Sequence, residues 1–159
     1  MPAPVDISPL DLAAPGVADE LVALQRASYR VEADLIGVPS LPPMHETATQ
    51  LRASRETFLG ARLADGRLAG AVSYKRLCDG AVDIYRLVVD PAAFRRGIAT
   101  ALLDALDVVA PAARTLVATG AANEPARALY ERRGFRMVRE TQAGQGVWIV
   151  EMERVCAPD

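Results

Sequence analysis

Histidine and cysteine are almost missing from this chain. Its 159 residues contain one histidine, His45, and two cysteines, Cys78 and Cys156. One histidine cannot build a multi-histidine metal centre. Two distant cysteines with no CxxC or Cys/His spacing indicate neither zinc nor a disulfide framework. No metal is expected. Long apolar runs are missing too: none approaches the ~20 residues that a membrane span needs. Met1-Pro2-Ala3-Pro4-Val5-Asp6 lacks the basic-then-apolar order of a signal peptide, so a cytoplasmic protein is the default. Neither sign of charge dominates, with 18 basic against 20 acidic residues. That balance makes no case for nucleic acid or a membrane as partner. There is no glycine run followed by Lys and Ser or Thr, and no GxGxxG, so a Walker loop and a dinucleotide fingerprint are absent. Internal repeats, linkers and low-complexity tracts are absent as well.

What remains is an ordinary globular composition, 51% apolar and 24% charged. The length suits one domain over residues 1–159. The chain is organised around Leu87 to Leu103. Leu87-Val88-Val89 reads as the end of a strand, and Asp90-Pro91 stops it. After a short basic loop, Ile98, Ala101, Leu102, Ala105, Leu106 and Val109 recur at helical spacing, so a helix starts near Gly97. The first N–H groups of a helix have no partner inside it, and the helix dipole favours an anion there. Gly97 admits a ligand close to the backbone, and Arg95 and Arg96 add positive charge. A phosphate or diphosphate suits such a loop. A plain strand–loop–helix connection with solvated arginines is the alternative.

Around that stretch the elements follow in order. Val5 to Leu10 reads as a short first strand. Val17 to about Val31 reads as a helix with Leu21, Leu24 and Ala27-Ser28 on one face. Glu32 to Pro43, with Gly37, Pro39, Pro42 and Pro43, reads as a loop. A short helix over His45–Ser54 follows. Asp65-Gly66 joins two apolar runs in a hairpin, and Asp79-Gly80 repeats the signal before Ala81–Val89. A strand at Arg114–Thr119 follows the central helix and should run parallel to the one ending at Val89. A helix over Pro125–Arg133 ends at Gly134. Strands at Phe135–Arg139 and Val147–Met152 close the chain through Gly144 and Gly146. The result is an α/β fold: a mixed, mainly antiparallel sheet of six to seven strands flanked by about four helices. Period 2 puts Asp83, Tyr85 and Leu87 on one face of their strand and Val82, Ile84, Arg86 and Val88 on the other.

Val88-Val89-Asp90-Pro91 with Arg95-Arg96-Gly97-Ile98-Ala99 resembles the acetyl-CoA motif of the GNAT family of N-acetyltransferases, Gln/Arg-x-x-Gly-x-Gly/Ala. Phe94 stands where that motif usually has Gln or Arg; the basic pair follows it. Asn123-Glu124-Pro125-Ala126-Arg127-Ala128-Leu129-Tyr130-Glu131-Arg132-Arg133-Gly134-Phe135 resembles the family's Asn-x-x-Ala-x-x-x-Tyr-x-x-x-Gly-Phe signature. The resemblance implies acetyl-CoA as donor and a splayed parallel strand pair. It puts the pantetheine arm against the backbone of Leu87, Val88 and Val89. Arg95, Arg96, Gly97, Ile98, Ala99 and Thr100 would hold the diphosphate, with Asn123 and Ala126 beside the cofactor. Asn123 has a second reading, as a helix cap.

Acyl transfer to an amine needs a neutral nitrogen, a stabilised oxyanion and a proton for the leaving thiolate. The resemblance gives the last role to Tyr130; packing on its helix is the alternative. It gives Asp83 the amine proton, with a solvated or salt-bridged aspartate, or ordered water as the base, as alternatives. An acid in a strand centre is itself unusual. The acceptor site is expected from the first helix, the loop over Glu32–Pro43 and the strand turns, with Tyr29, Arg30, Glu32, Asp34, His45 and Tyr85 as polar candidates. Trp148, alternating with Ile149, reads as core or dimer surface rather than substrate wall. The expected partner is a primary amine of a small molecule or peptide; a homodimer stays open. The rivals are a non-catalytic acyl-CoA-binding regulatory module on the same fold and an unrelated phosphate-binding protein.

Overall fold

The computed structural model describes residues 5–144 and 146–156. Seven strands form one sheet in the order β1-β2-β3-β4-β5-β7-β6. They are β1 (Asp6–Pro9), β2 (Thr57–Arg62), β3 (Leu68–Arg76), β4 (Val82–Val89), β5 (Arg114–Gly120), β6 (Arg136–Ala143) and β7 (Val147–Val155). Only β4 and β5 pair in parallel; every other neighbour is antiparallel. Four helices accompany them: α1 (Val17–Ile36), α2 (Ala48–Ala53), α3 (Ile98–Val109) and α4 (Glu124–Arg132). The expected fold class and the parallel pair are both present.

The hairpins form where Asp-Gly predicts them. Gly66 and Gly80 take φ of 88° and 87°, which suits residues without a Cβ. In both turns the aspartate Oδ1 accepts an N–H two residues on, from Arg67 and from Ala81. Two apolar clusters sandwich the sheet. On one side Ile98, Leu102, Leu103 and Leu106 of α3 pack with Val72, Val82, Ile84 and Val117, and Tyr130 joins from α4. On the other, Leu21 and Leu24 of α1 and Leu51 of α2 pack with Phe58, Leu68, Ala71 and Val88. α3 lies very close to β3, because a Cβ on Gly70 would come within 2.7 Å of Ile98 Cγ2.

Two expectations need correction. α1 does not end near Val31 but runs on to Ile36. No proline falls between Val31 and Pro39, and the Arg30–Asp34 pair at 3.0 Å supports the extra turn. Gly37, at φ 78°, then stops the helix, its N–H turned onto the carbonyls of Ala33 and Asp34. The period-2 reading of β4 also fails. The β3–β4 register passes from Ser73↔Arg86 to Tyr74↔Ile84, so Tyr85 is the extra residue of a bulge. Val82, Ile84, Leu87 and Val89 all pack toward α3, whereas Val88 packs toward α1. Leu87 therefore leaves the group it was expected to share with Asp83.

Candidate active site

The parallel ladder is short. It runs Val82↔Thr115, Asp83↔Leu116 and Ile84↔Val117, and then the strands part. The gap holds a cavity of about 90 Å³ between Ile84–Leu87 of β4 and Val117–Thr119 of β5. Asn123, Ala126 and Tyr130 of α4 close one side of it, and Tyr29 and Glu32 of α1 the other. A chamber of about 850 Å³ adjoins it and shares Tyr29, Glu32, Ala118 and Thr119. The larger chamber continues under the loop 38–45 toward Val147 and Ile149 of β7. The extension of α1 is what carries Glu32 to the seam between the two spaces.

The loop after β4 is shaped for an anion. Asp90 Oδ1 accepts from the Ala92 N–H at 2.9 Å and fixes the 3₁₀ turn at Pro91–Ala93. Arg95 and Gly97 both sit in the left-handed region, at φ 66° and 75°. For Arg95 that conformation costs about 1 kcal/mol. The helical ladder begins with the Ala101 N–H on the Gly97 carbonyl. The N–H groups of residues 95–100 therefore have no backbone partner among the described residues. The side chains of Arg95 and Arg96 are exposed beside them. Six unpartnered donors thus stand at a helix start, where the helix dipole favours an anion.

Of the three β4 residues expected to face a pantetheine arm, one donor is already used: the Val89 N–H reaches Ser28 Oγ of α1 at 3.2 Å. Asn123 caps α4, its Oδ1 accepting from the Ala126 N–H at 3.2 Å. Asn123 also lines the small cavity. Tyr130 is buried, with its ring edge-on to Phe135 at 5.6 Å. Its hydroxyl has no hydrogen-bond partner among the described residues. Burial and then the negative charge of Glu32 push the Tyr130 phenol above its usual value. Tyr29 moves the same way for the same causes, against a smaller pull from Arg86.

The family model described as Acetyltransferase (GNAT) family matches residues 19–135. The chain belongs to this family. It is 36% identical over 132 residues to the UPF0157 protein YqkA of Bacillus subtilis (strain 168), covering 82% of this chain and 38% of that protein. It is 43% identical over 83 residues to a mycothiol acetyltransferase of Clavibacter sepedonicus, covering 50% of this chain and 27% of that one. The chain thus spans well under half the length of these curated relatives. The ribosomal-protein-S18-alanine N-acetyltransferase of Escherichia coli shares the fold at a TM-score of 0.77 and 17% identity, over 98% of this chain and 96% of that one. So does the PaiA N-acetyltransferase of Thermoplasma acidophilum in complex with coenzyme A, at 0.75 and 18%, over 96% and 99%.

In this GNAT domain the other candidates separate. Tyr85 lines the small cavity, half-exposed, with Lys75 Nζ 5.0 Å from its ring centroid. His45 lines the large chamber. Arg30 and Asp34 are taken up with each other, and Arg30 also donates to the Pro39 carbonyl at 2.8 Å, which ties down the loop. Asp83 lines neither space. Burial and then Glu151 raise its carboxyl above the ordinary value, against a smaller opposing effect of Lys75. Trp148 is half-exposed and outside the core; it lines a separate pocket with Ile36 and Val38. Among the described residues no group of carboxylates, cysteines and histidine could hold a metal ion. No helix among them is long and apolar enough to cross a membrane.

One residue of weight escaped the reading of the sequence. Arg86 of β4 makes two bonds to Glu56, at 2.8 and 2.9 Å, and also pairs with Glu46 and with Gln25 Oε1. Gln25 Nε2 in turn donates to the Pro43 carbonyl at 2.7 Å, and Ser73 Oγ to Glu56 at 2.6 Å. This network pins the proline-rich roof of the large chamber to β4 and α1. Burial pushes the Glu56 carboxyl up, but the bonds from Arg86 and Ser73 outweigh it and hold it below the usual carboxylate range. A depressed carboxylate contributes stability at neutral pH that is lost as pH falls from its ordinary value through its folded one. Arg86→Met leaves Glu56 buried and unpaired, so about 3 kcal/mol of stability should go. Chemical denaturation at pH 7 and below pH 4 checks both points: the variant's deficit should shrink in acid, where Glu56 takes up a proton.

Proposed function

We propose that this domain moves an acetyl group from acetyl-CoA to a primary amine of a small molecule or peptide by direct attack. The observation that carries the reading is spatial. β4 and β5 part at a small cavity that Tyr130 lines and that adjoins the large chamber, and β4 leads directly into the six unpartnered N–H groups at the α3 start. Acetyl-CoA fits that arrangement by its chemistry: the loop takes the diphosphate, and strand edges without a ladder partner suit the amides of the pantetheine arm. When bound, it supplies an acyl group activated as a thioester.

The protein's own groups then manage protons. The ammonium must lose one proton to expose its lone pair and a second once the C–N bond forms. The C–S bond breaks, and the thiolate needs one proton back. Tyr130 supplies it. A phenol with a raised pKa is a weaker acid than a thiol, so it is refilled at once by the second proton of the nitrogen. The first proton passes to a carboxylate and on to water. Glu32 lines both spaces, whereas Asp83 lines neither, so Glu32 takes that role in this reading.

Asp83→Asn should accordingly leave the acid limb of the pH–rate profile in place. An acid limb that moves would return the role to Asp83. A non-catalytic acyl-CoA-binding module has no use for an acid at Tyr130. Coenzyme A binding without thiol release for any amine would establish that alternative.

A further inference from the structure

The large chamber has a chemical bias of its own. Its wall is built from Val38, Leu41 and Pro42 on the loop side and Val147 and Ile149 on the β7 side. Glu32 is the only acidic residue among the described residues that line it. No lysine or arginine among the described residues lines it. The Arg86 guanidinium, next door in the small cavity, is already matched by Glu46 and Glu56. Thr119 Oγ1 lies 3.4 Å from Glu32 Oε1 and is aimed at it, so it is committed to the same carboxylate.

One carboxylate satisfies one cation. A second ammonium would lose water against Val38, Leu41, Val147 and Ile149 and find no second carboxylate, and a row of hydroxyl groups would find only Tyr29, Ser40 and His45 along the wall. An apolar body gains from the same wall, and the volume of about 850 Å³ lies in the range of ordinary small-molecule sites. We infer that the acceptor is a primary monoamine on an uncharged apolar body. Its ammonium rests on Glu32 at the seam, and its body lies between the loop 38–43 and β7. This deepens the acetyltransferase reading and rests on it.

The test uses the intact chain with 2-phenylethylamine, spermidine and glucosamine. It reads thiol release with acetyl-CoA and, separately, amine binding by calorimetry without the donor. The expected kcat/KM for 2-phenylethylamine exceeds those for the two polar amines by at least 10-fold. Glu32→Gln should weaken its binding about 10-fold and leave coenzyme A affinity unchanged. Ile149→Asp, which adds a second carboxylate to the wall, should shift preference at least 10-fold toward spermidine. Acetylation of spermidine or glucosamine in preference to 2-phenylethylamine overturns the inference and leaves the enzymatic reading intact. So does unaltered 2-phenylethylamine binding in Glu32→Gln. Glu32-dependent binding with no acetylation supports this assignment of the chamber and overturns the enzymatic reading. Neither binding nor turnover of any of the three overturns both.

Discussion

Gly97→Glu is expected to weaken coenzyme A binding at least 100-fold, measured by calorimetry. Three effects act together. The new carboxylate stands at the mouth of the loop proposed to hold a diphosphate, and like charges a few ångströms apart repel strongly where water is partly excluded. A side chain is added where the backbone must be approached closely. The position also lies at φ 75°, ψ 15°, a conformation that costs an ordinary residue about 1 kcal/mol. The last effect alone should lower the Tm by only a few degrees in a chain of this size. Gly97→Asn separates the three, because asparagine tolerates the left-handed region and carries no charge. It should keep the fold and lose far less affinity. Raising the salt should recover part of the Gly97→Glu loss through screening, and none of the steric part. If Gly97→Glu binds coenzyme A as the parent chain does, the loop is not the diphosphate site, and the proposed placement of acetyl-CoA fails with it.

That loop was legible in the sequence because its signals are local. Asp90-Pro91 ends a strand, Gly97 starts a helix, and the apolar spacing from Ile98 to Val109 changes period between them. The two Asp-Gly hairpins are local in the same sense. What escaped depends on distance. Gly37 and the prolines after it suggest a loop from Glu32 onward, yet nothing between Glu32 and Ile36 breaks a helix. The extra turn carries Glu32 to the cavity that Tyr130 also lines. The bulge at Tyr85 leaves no mark on a strand whose residues alternate neatly on paper, because it arises from register with β3. The Arg86 network joins residues 30 and 40 positions apart, beyond any periodicity. A signal did exist: an arginine in mid-strand raises the same question as Asp83 and merits the same search for partners.

Tyr130→Phe carries the second large effect, and its stability control is built in. The hydroxyl has no partner among the described residues, so its removal leaves no donor or acceptor stranded and should leave the Tm nearly unchanged. The ring keeps its edge contact with Phe135. Coenzyme A affinity should also hold, because the loop proposed for the diphosphate lies at the start of α3 and not on α4. Turnover should fall about 10²- to 10³-fold, the usual worth of a positioned acid. The pH profile adds an independent readout. Burial and Glu32 keep the phenol protonated beyond its ordinary value near 10, so the parent chain should show no alkaline limb from Tyr130 in the neutral and mildly alkaline range. An alkaline limb near pH 8 that vanished in Tyr130→Phe would contradict the raised phenol. Equal turnover in the two proteins would leave Tyr130 as a packing residue, with the thiolate drawing its proton from water. A loss confined to KM would place the hydroxyl against the substrate rather than the leaving group. Only a fall in kcat at unchanged affinity and unchanged Tm matches an acid held ready in the cavity between two parted strands.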